Sequence, residues 1–438
     1  MSDVVKALFG IIAGPVLAIL GLIFMQFVFR VMGIDPGPVL AILIGLTPIW
    51  LPVVLFSLAY YFWIEYVRLA FTINQGRVTL RVRLPQEVTK SPEAMERVLS
   101  QIHNVQSPDN PYQSWVDGKT PQTFSLELVS IGGEVRFYVN VPKKKTKDAI
   151  EAQLYAQYPG VEIVEEMIDY TAEIDWDPEQ YEIMSFHMGK SKDQEFPIKT
   201  YIDYGLDKMP KEEEKIEPMA PMLEQLASAQ RHERIWVQIL IKPHTKKGFK
   251  QGYLRETPSW EGKVMAKIDE IMGRQPGKKV GPAEMEEQPR LTMGEKDLVT
   301  AMERNAGKYA YETAIRWMYI TEAGKFNGDY ISPMLRSFSE YDVIGRNAIA
   351  PRWRTDFDYK IFSDPSGKRQ VKMKKNELKE YKLRDYTPVA DGSSDKPKVM
   401  TTEELATMWH LPGSSVVTPT IDRIPSTRSE APANLPTG

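Results

Sequence analysis

The sequence has no cysteine. That excludes a disulfide framework, a thiol nucleophile, an iron–sulfur cluster and zinc held by thiolates. Histidine is scarce: five in 438 residues, at 103, 187, 232, 244 and 410, with no pair at HxxxH or HExxH spacing. A metal site built within one stretch of chain is therefore not expected. An excess of one charge is also missing. There are 55 Lys and Arg against 58 Asp and Glu, a net charge of −3. Overall positive charge cannot then be a nucleic-acid binding device, and only local basic patches remain. Nucleotide and catalytic strings are missing too. Gly273-Arg-Gln-Pro-Gly277-Lys278-Lys279 comes nearest to a phosphate loop. It is one residue short of GxxxxGK(S/T) and lacks the hydroxyl that would hold Mg²⁺. No GxSxG, GxGxxG, HRD or DFG string occurs. Carboxylate pairs such as Asp175 and Asp177 have nothing that sets them apart. The expectation is a protein without an active site, cofactor or metal of its own.

What is abundant is apolar sequence at the N-terminus. Residues 7–29 hold no charge, and 23 residues suffice to cross a hydrocarbon core of about 30 Å as a helix. Val39 to Trp63 is a second uncharged run, and the residues between are a short turn with Gly33, Pro36, Gly37 and Pro38. A signal peptide fits less well, because the first run is long and a second follows directly. Tyr60, Tyr61, Phe62, Trp63 and Tyr66 read as an aromatic belt. Arg68, Arg77, Arg81 and Arg83 follow the second run, whereas the turn has only Arg30. The positive-inside bias predicts a two-span hairpin, residues 1–70, in the inner membrane, with both ends and the bulk of the chain cytoplasmic.

The remaining length is enough for more than one domain. Val78 to Leu84 alternates as a strand. Ser91-Pro92-Glu93 opens a helix with Met95, Val98, Leu99 and Ile102 on one stripe. Phe124 to Leu128 is a strand, Gly132-Gly133 a hairpin turn, and Val135, Phe137, Val139 and Val141 alternate in the return strand. A helix over 146–157 and a strand over 161–164 follow. The order β-α-β-β-α-β is that of a ferredoxin-like unit, assigned to residues 71–170.

A second such unit is expected over 171–350. Its strands fall at 198–204, 235–241, 309–320 and within 343–350, with helices at 219–230 and from Ser332-Pro333. An insertion near 242–308 carries helices at 259–273 and 294–305. Glu212 to Glu214, in the charge run 211–217, reads as a solvated loop. The fold class is thus α+β: a transmembrane hairpin, tandem ferredoxin-like units, and a flexible tail over 351–438.

Two stretches of the tail are candidate sites. Lys368, Arg369, Lys372, Lys374, Lys375, Lys379, Lys382 and Arg384 make a basic segment. It is either an exposed helix or a contact for anionic lipid or nucleic acid. Thr401-Thr-Glu-Glu404 is a capping box that opens a short helix with Leu405, Met408 and Trp409 on one face. Ten residues are too few for a stable helix in water, so this face needs a cover. It packs back on its own chain or docks in a groove of a partner.

Several strings carry a resemblance. They are Ser91-Pro-Glu-Ala-Met-Glu96, Phe124 to Gly133, Ile150 to Pro159, and Thr402-Glu-Glu-Leu-Ala-Thr-Met-Trp-His-Leu-Pro412. Together the chain resembles a family of two-span membrane proteins from candidate-phyla (Patescibacteria) bacteria. Its genes neighbour type IV secretion-type DNA-translocating ATPases of the TraD/TraG and HerA kind. The resemblance covers nearly the whole chain and is weakest over the insertion and 386–399. Two departures stand out: Thr401-Thr402 where the family has Asn-Thr, and Ala431-Pro-Ala-Asn-Leu-Pro436 where it has Pro-Pro-Ala-Asn-Leu-Pro.

The resemblance implies a membrane-anchored, non-catalytic docking subunit in a larger oligomeric complex, with the ATPase supplied in trans. Thr401, Glu404, Leu405, Met408 and Trp409 would be its docking face. The competing reading is a membrane-tethered nucleic-acid-binding protein using its sheet face and the basic 368–384 stretch. In that reading DNA or RNA bases would stack on sheet aromatics. Phe137 shares the core face of its strand, and Tyr138 is a lone aromatic on the other.

Overall fold

The computed structural model describes residues 45–86, 88, 90–105, 107–208, 216–273, 291–355, 367–385, 397–413, 416 and 420–424, with isolated positions at 37 and 41. Among the described residues the first long element is α1 (Thr47–Gln75), a helix long and apolar enough to cross a membrane by length and composition. It continues past the expected end at Trp63. Gly76, at φ +64, stops it and starts β1 (Arg77–Arg83). The expected first span, 7–29, lies outside the described residues.

The fold is α+β. The described residues from Val67 onward form one compact unit around an antiparallel sheet of nine strands. After β1 come α2 (Glu93–Ile102), α3 (Pro111–Trp115), β2 (Phe124–Ile131), β3 (Glu134–Pro142), α4 (Thr146–Gln157) and β4 (Glu162–Glu166). The second half has β5 (Tyr181–Lys190), α5 (Ala220–Ala227), β6 (Glu233–Pro243), α6 (Trp260–Ile271), α7 (Met293–Ala306), β7 (Ala310–Glu322), α8 (Ile331–Ser337) and β8 (Ile349–Arg354). Then follow α9 (Lys368–Leu383), β9 (Lys398–Thr401) and α10 (Thr402–Met408).

The strands lie in the order β4-β1-β3-β2-β6-β7-β5-β8, with β9 pairing the start of β7. The two halves meet where β2 and β6 pair, Leu126 opposite Ile239 and Leu128 opposite Val237.

Both faces of the sheet are covered. One face carries Leu80, Leu126, Phe137, Val237, Trp317 and Phe186, and buries them under α2, α4, α5, α8 and α10. The other carries Val129, Tyr138, Trp236, Met318 and Ile320 under Tyr170, Ile174 and the α9 residues Leu378 and Tyr381. A third cluster holds the α6–α7 pair together through Trp260, Val264, Val299 and Met302.

Two expected features are corrected. Residues 198–204 are not a strand. They form turns held by Asp203, which accepts from Thr200 N at 3.0 Å. The second half begins instead with β5, whose residues from Ile183 onward are buried on both faces. The tail is also not wholly detached. Residues 420–424 bridge the splayed ends of β1 and β3: Val135 N donates to Thr420 O, and Leu84 N donates to Asp422 O. Arg81 clamps the Asp422 carboxylate at 2.7 Å.

Candidate functional site

The α10 segment is helical for the local reason its sequence gives. Glu404 N donates to Thr401 Oγ1 and Thr401 N donates to Glu404 Oε2, a complete capping box. Its surroundings differ from those of a docking helix. Leu405, Met408 and Trp409 are fully buried, and so are Thr402, Glu403, Glu404 and Thr407 on the remaining faces. Trp409 meets the Phe137 ring edge-on with centroids 5.8 Å apart, and its indole N–H donates to Glu127 O at 3.4 Å.

The acids are held from three directions. Glu404 takes the Lys190 ammonium at 2.7 Å and the Ile198 N–H at 3.0 Å. Glu403 takes Arg304 of α7 at 2.9 Å and the Thr200 hydroxyl at 2.6 Å. Thr402 Oγ1 lies 3.5 Å from Glu96 of α2, whose carboxylate also accepts from Lys308 and Tyr201 at 2.6 Å. Burial pulls the Lys190 ammonium below its usual pKa and pushes the Glu403 carboxyl up. These groups lock α10 between α2, α7 and the turn at 198–203. Thr401, Glu404, Leu405, Met408 and Trp409, expected as a docking face, are covered here by this chain's own core.

The basic segment forms α9 and splits by face. Met373, Glu377, Leu378 and Tyr381 point into the sheet. Glu377 Oε1 lies 2.7 Å from His187 Nε2 and accepts from Ser185 Oγ at 3.2 Å. Burial would raise the Glu377 carboxyl, but His187 and Arg316 beside it bring it below the usual range. Lys368, Arg369, Lys372, Lys375 and Lys379 are exposed, and Lys374 is half-buried. Lys382 lies 3.5 Å from Asp175.

Arg384 is not a surface cation at all. It is buried and pairs with Glu127 at 3.0 Å and Asp169 at 2.7 Å. The signal that could have found this pair is the single Glu in the otherwise uncharged run Phe124–Ile131. A carboxylate inside a strand buried on both faces needs a cation.

Covering by α9 also removes the sheet face that a base-stacking reader would use. Tyr138 is buried and stacks on Tyr170 at 4.8 Å, and Trp236 lies against Tyr381 at 5.3 Å. Of the loop 273–279, only Gly273 is among the described residues. No group of three or more His, Asp or Glu that could hold a metal occurs among the described residues. Beside α2 and α4 lies an open polar groove of about 580 Å³, lined by Arg97, Gln101, Gln153, Gln157, Tyr201 and Lys308 among others.

The family model described as "Domain of unknown function (DUF8128)" matches residues 67–342. The chain belongs to that family. The matched stretch runs from the last turns of α1 to the residues before β8. It leaves out β8, α9, β9 and α10, which complete the sheet and cover both of its faces. No curated protein matches the chain.

Proposed function

We propose that the chain is a membrane-anchored, non-catalytic assembly subunit. In this reading an N-terminal hairpin holds it in the inner membrane with the bulk of the chain in the cytoplasm. The sheet unit is a platform on which a type IV secretion-type, TraD/TraG/HerA-like ATPase docks in trans for DNA or protein transport. The observation that carries it is the passage from α1 to β1 through Gly76 alone. An apolar helix of membrane-crossing length thus leads through one residue into a broad sheet with apolar clusters on both faces.

The platform is read as a pair of ferredoxin-like units. The order β4-β1-β3-β2 in the first half and β8-β5-β7-β6 in the second supports that reading, since both follow the pattern 4-1-3-2. With α10 locked in the core, docking belongs to surfaces that remain exposed. The test is affinity purification of the full chain in detergent and identification of what stays bound. A nucleotide-hydrolysing partner is expected; its absence from repeated purifications would overturn the proposal.

The second reading is nucleic-acid contact, and the exposed cations of α9 favour it. Without the sheet face, such contact would be to phosphates and steeply salt-dependent. Lys372→Glu with Lys375→Glu should then abolish retention on DNA at low salt. Equal retention of the variant and the parent would remove this reading.

A further inference from the structure

We infer that residues 246–255, together with α3, form an interfacial lipid contact that seats in an anionic headgroup layer. The inference rests on the membrane attachment proposed above.

The segment Lys246-Lys-Gly-Phe249-Lys-Gln-Gly-Tyr253-Leu-Arg255 interleaves cations with large apolar side chains. Phe249 and Leu254 are about three-fifths exposed, and so is Tyr112 of α3, with Val116 beside it also exposed. Lys250 and Arg255 flank them in solvent. Exposed apolar side chains interleaved with cations in this way are uncommon on a surface that meets only water. Lys246 pairs with Glu256 at 3.0 Å, so the cations that remain for a lipid surface are Lys247, Lys250 and Arg255.

The cluster is a built structure rather than a loose loop. The Trp115 indole N–H donates to Phe249 O at 2.8 Å, with the two rings 5.0 Å apart. Ser114 Oγ donates to Lys250 O at 2.7 Å. The left-handed turn at Gly252, φ +77, brings the Gln251 and Gly252 carbonyls to the Arg68 guanidinium at 3.2 and 3.4 Å. The same guanidinium lies 4.6 Å from the Tyr253 ring centre. Gly118, just after α3, sits so close that a Cβ there would be 2.0 Å from Val67 O.

Arg68 is five residues past Trp63, where the uncharged run ends. Five residues reach at most about 18 Å however the chain runs. A segment clamped to Arg68 therefore stays within reach of the headgroup layer, where aromatic side chains and Lys or Arg partition. Its basic excess suits anionic phospholipid.

The absence of cysteine makes the test direct. Leu254→Cys in the full chain, labelled with an environment-sensitive fluorophore, is reconstituted in phosphatidylcholine vesicles with or without phosphatidylglycerol. Nitroxide lipids serve as quenchers. Leu58→Cys in α1 reports the anchor, and Ile344→Cys, at a fully exposed turn residue, reports solvent. The label at 254 should be quenched several-fold more than that at 344 by headgroup nitroxide, and more with phosphatidylglycerol present.

Equal labels at 254 and 344, with position 58 quenched by acyl-chain nitroxide, would overturn the lipid contact and leave the anchor standing. A label at 254 shielded from aqueous iodide yet untouched by nitroxide lipid would also overturn it, in favour of a protein contact. An unquenched label at 58 would overturn the anchor itself and this inference with it.

Discussion

Arg384 and Glu127, 257 residues apart in sequence, form a buried fork: Nε donates to Oε1 at 3.0 Å and Nη2 to Oε2 at 3.2 Å. Arg384 adopts a left-handed backbone, φ +51, just past the end of α9. The side chain leaves that turn, crosses to β2, and fastens α9 over the second face of the sheet. Glu127 also accepts from Ser125, Tyr170 and Gln238. The buried carboxylate thus has a full complement of donors.

Replacing Arg384 by Ala should destabilise the chain by about 3–5 kcal/mol, because it leaves Glu127 charged, buried and without its cation. Glu127→Gln with Arg384→Met should cost less than the sum of the two single changes. Thermal or urea unfolding of the four proteins measures the coupling. Additive effects would mean the fork is not a unit.

Trp409→Ala removes a fully buried indole from the core between α10 and β3. A loss of about 3–5 kcal/mol is expected. A variant that melts with the parent but no longer captures a partner would restore the docking role expected from the sequence and contradict the burial of α10.

Stability should fall in acid. Burial acts to raise the Glu127 carboxyl, but the Arg384 guanidinium and the Ser125 and Tyr170 hydrogen bonds hold it below the usual range. Glu377 and Asp169 are likewise depressed despite their burial, by His187 and by Arg384 respectively. A depressed carboxylate stabilises fully above its unfolded pKa, about 4, and loses that contribution as pH falls through its folded value. Melting temperature should be nearly level from about pH 7 to 5 and drop below about pH 4. A flat profile down to about pH 3 would show that these pairs contribute nothing to acid stability.

Gly118→Ala should loosen the last turns of α1. Its φ of +70 disfavours any side chain, and the new Cβ would lie 2.0 Å from Val67 O. The backbone strain alone is worth about 1–3 kcal/mol. Hydrogen exchange over 67–75 should rise more than exchange in β6. Unchanged exchange over 67–75 would show that the close approach at Gly118 is not what holds this end of the helix.

The sequence by itself determined those elements whose pattern is local. In β3, Val135, Phe137, Val139 and Val141 alternate with polar or amphipathic neighbours, so the strand and its core face were legible. The α10 capping box spans four residues, Thr401 to Glu404, so both of its partners are local. The inserted helices α6 and α7 also lie where periodicity puts them. The β5 strand has its own alternation, Met184, Phe186 and Met188 toward one core and Ser185 and His187 toward buried partners opposite. That period-two signal is legible, and it is stronger than that of the 198–204 segment expected as the first strand of the second half.

Tertiary structure alone decided what each amphipathic segment covers. The stripe of Leu405, Met408 and Trp409 demanded a surface, and composition could not say whose. The answer depends on Phe137, Lys190 and Arg304, each about a hundred to almost three hundred residues away. Likewise eight cations over 368–384 read as one basic patch, but the fold separates exposed Lys372 and Lys375 from buried Arg384. Local pattern reflects contacts three or four residues apart on a helix and two apart on a strand. Which buried group a cation or an indole meets is set by the assembled sheet, and β2, where Glu127 waits for Arg384, has no local signal for its partner.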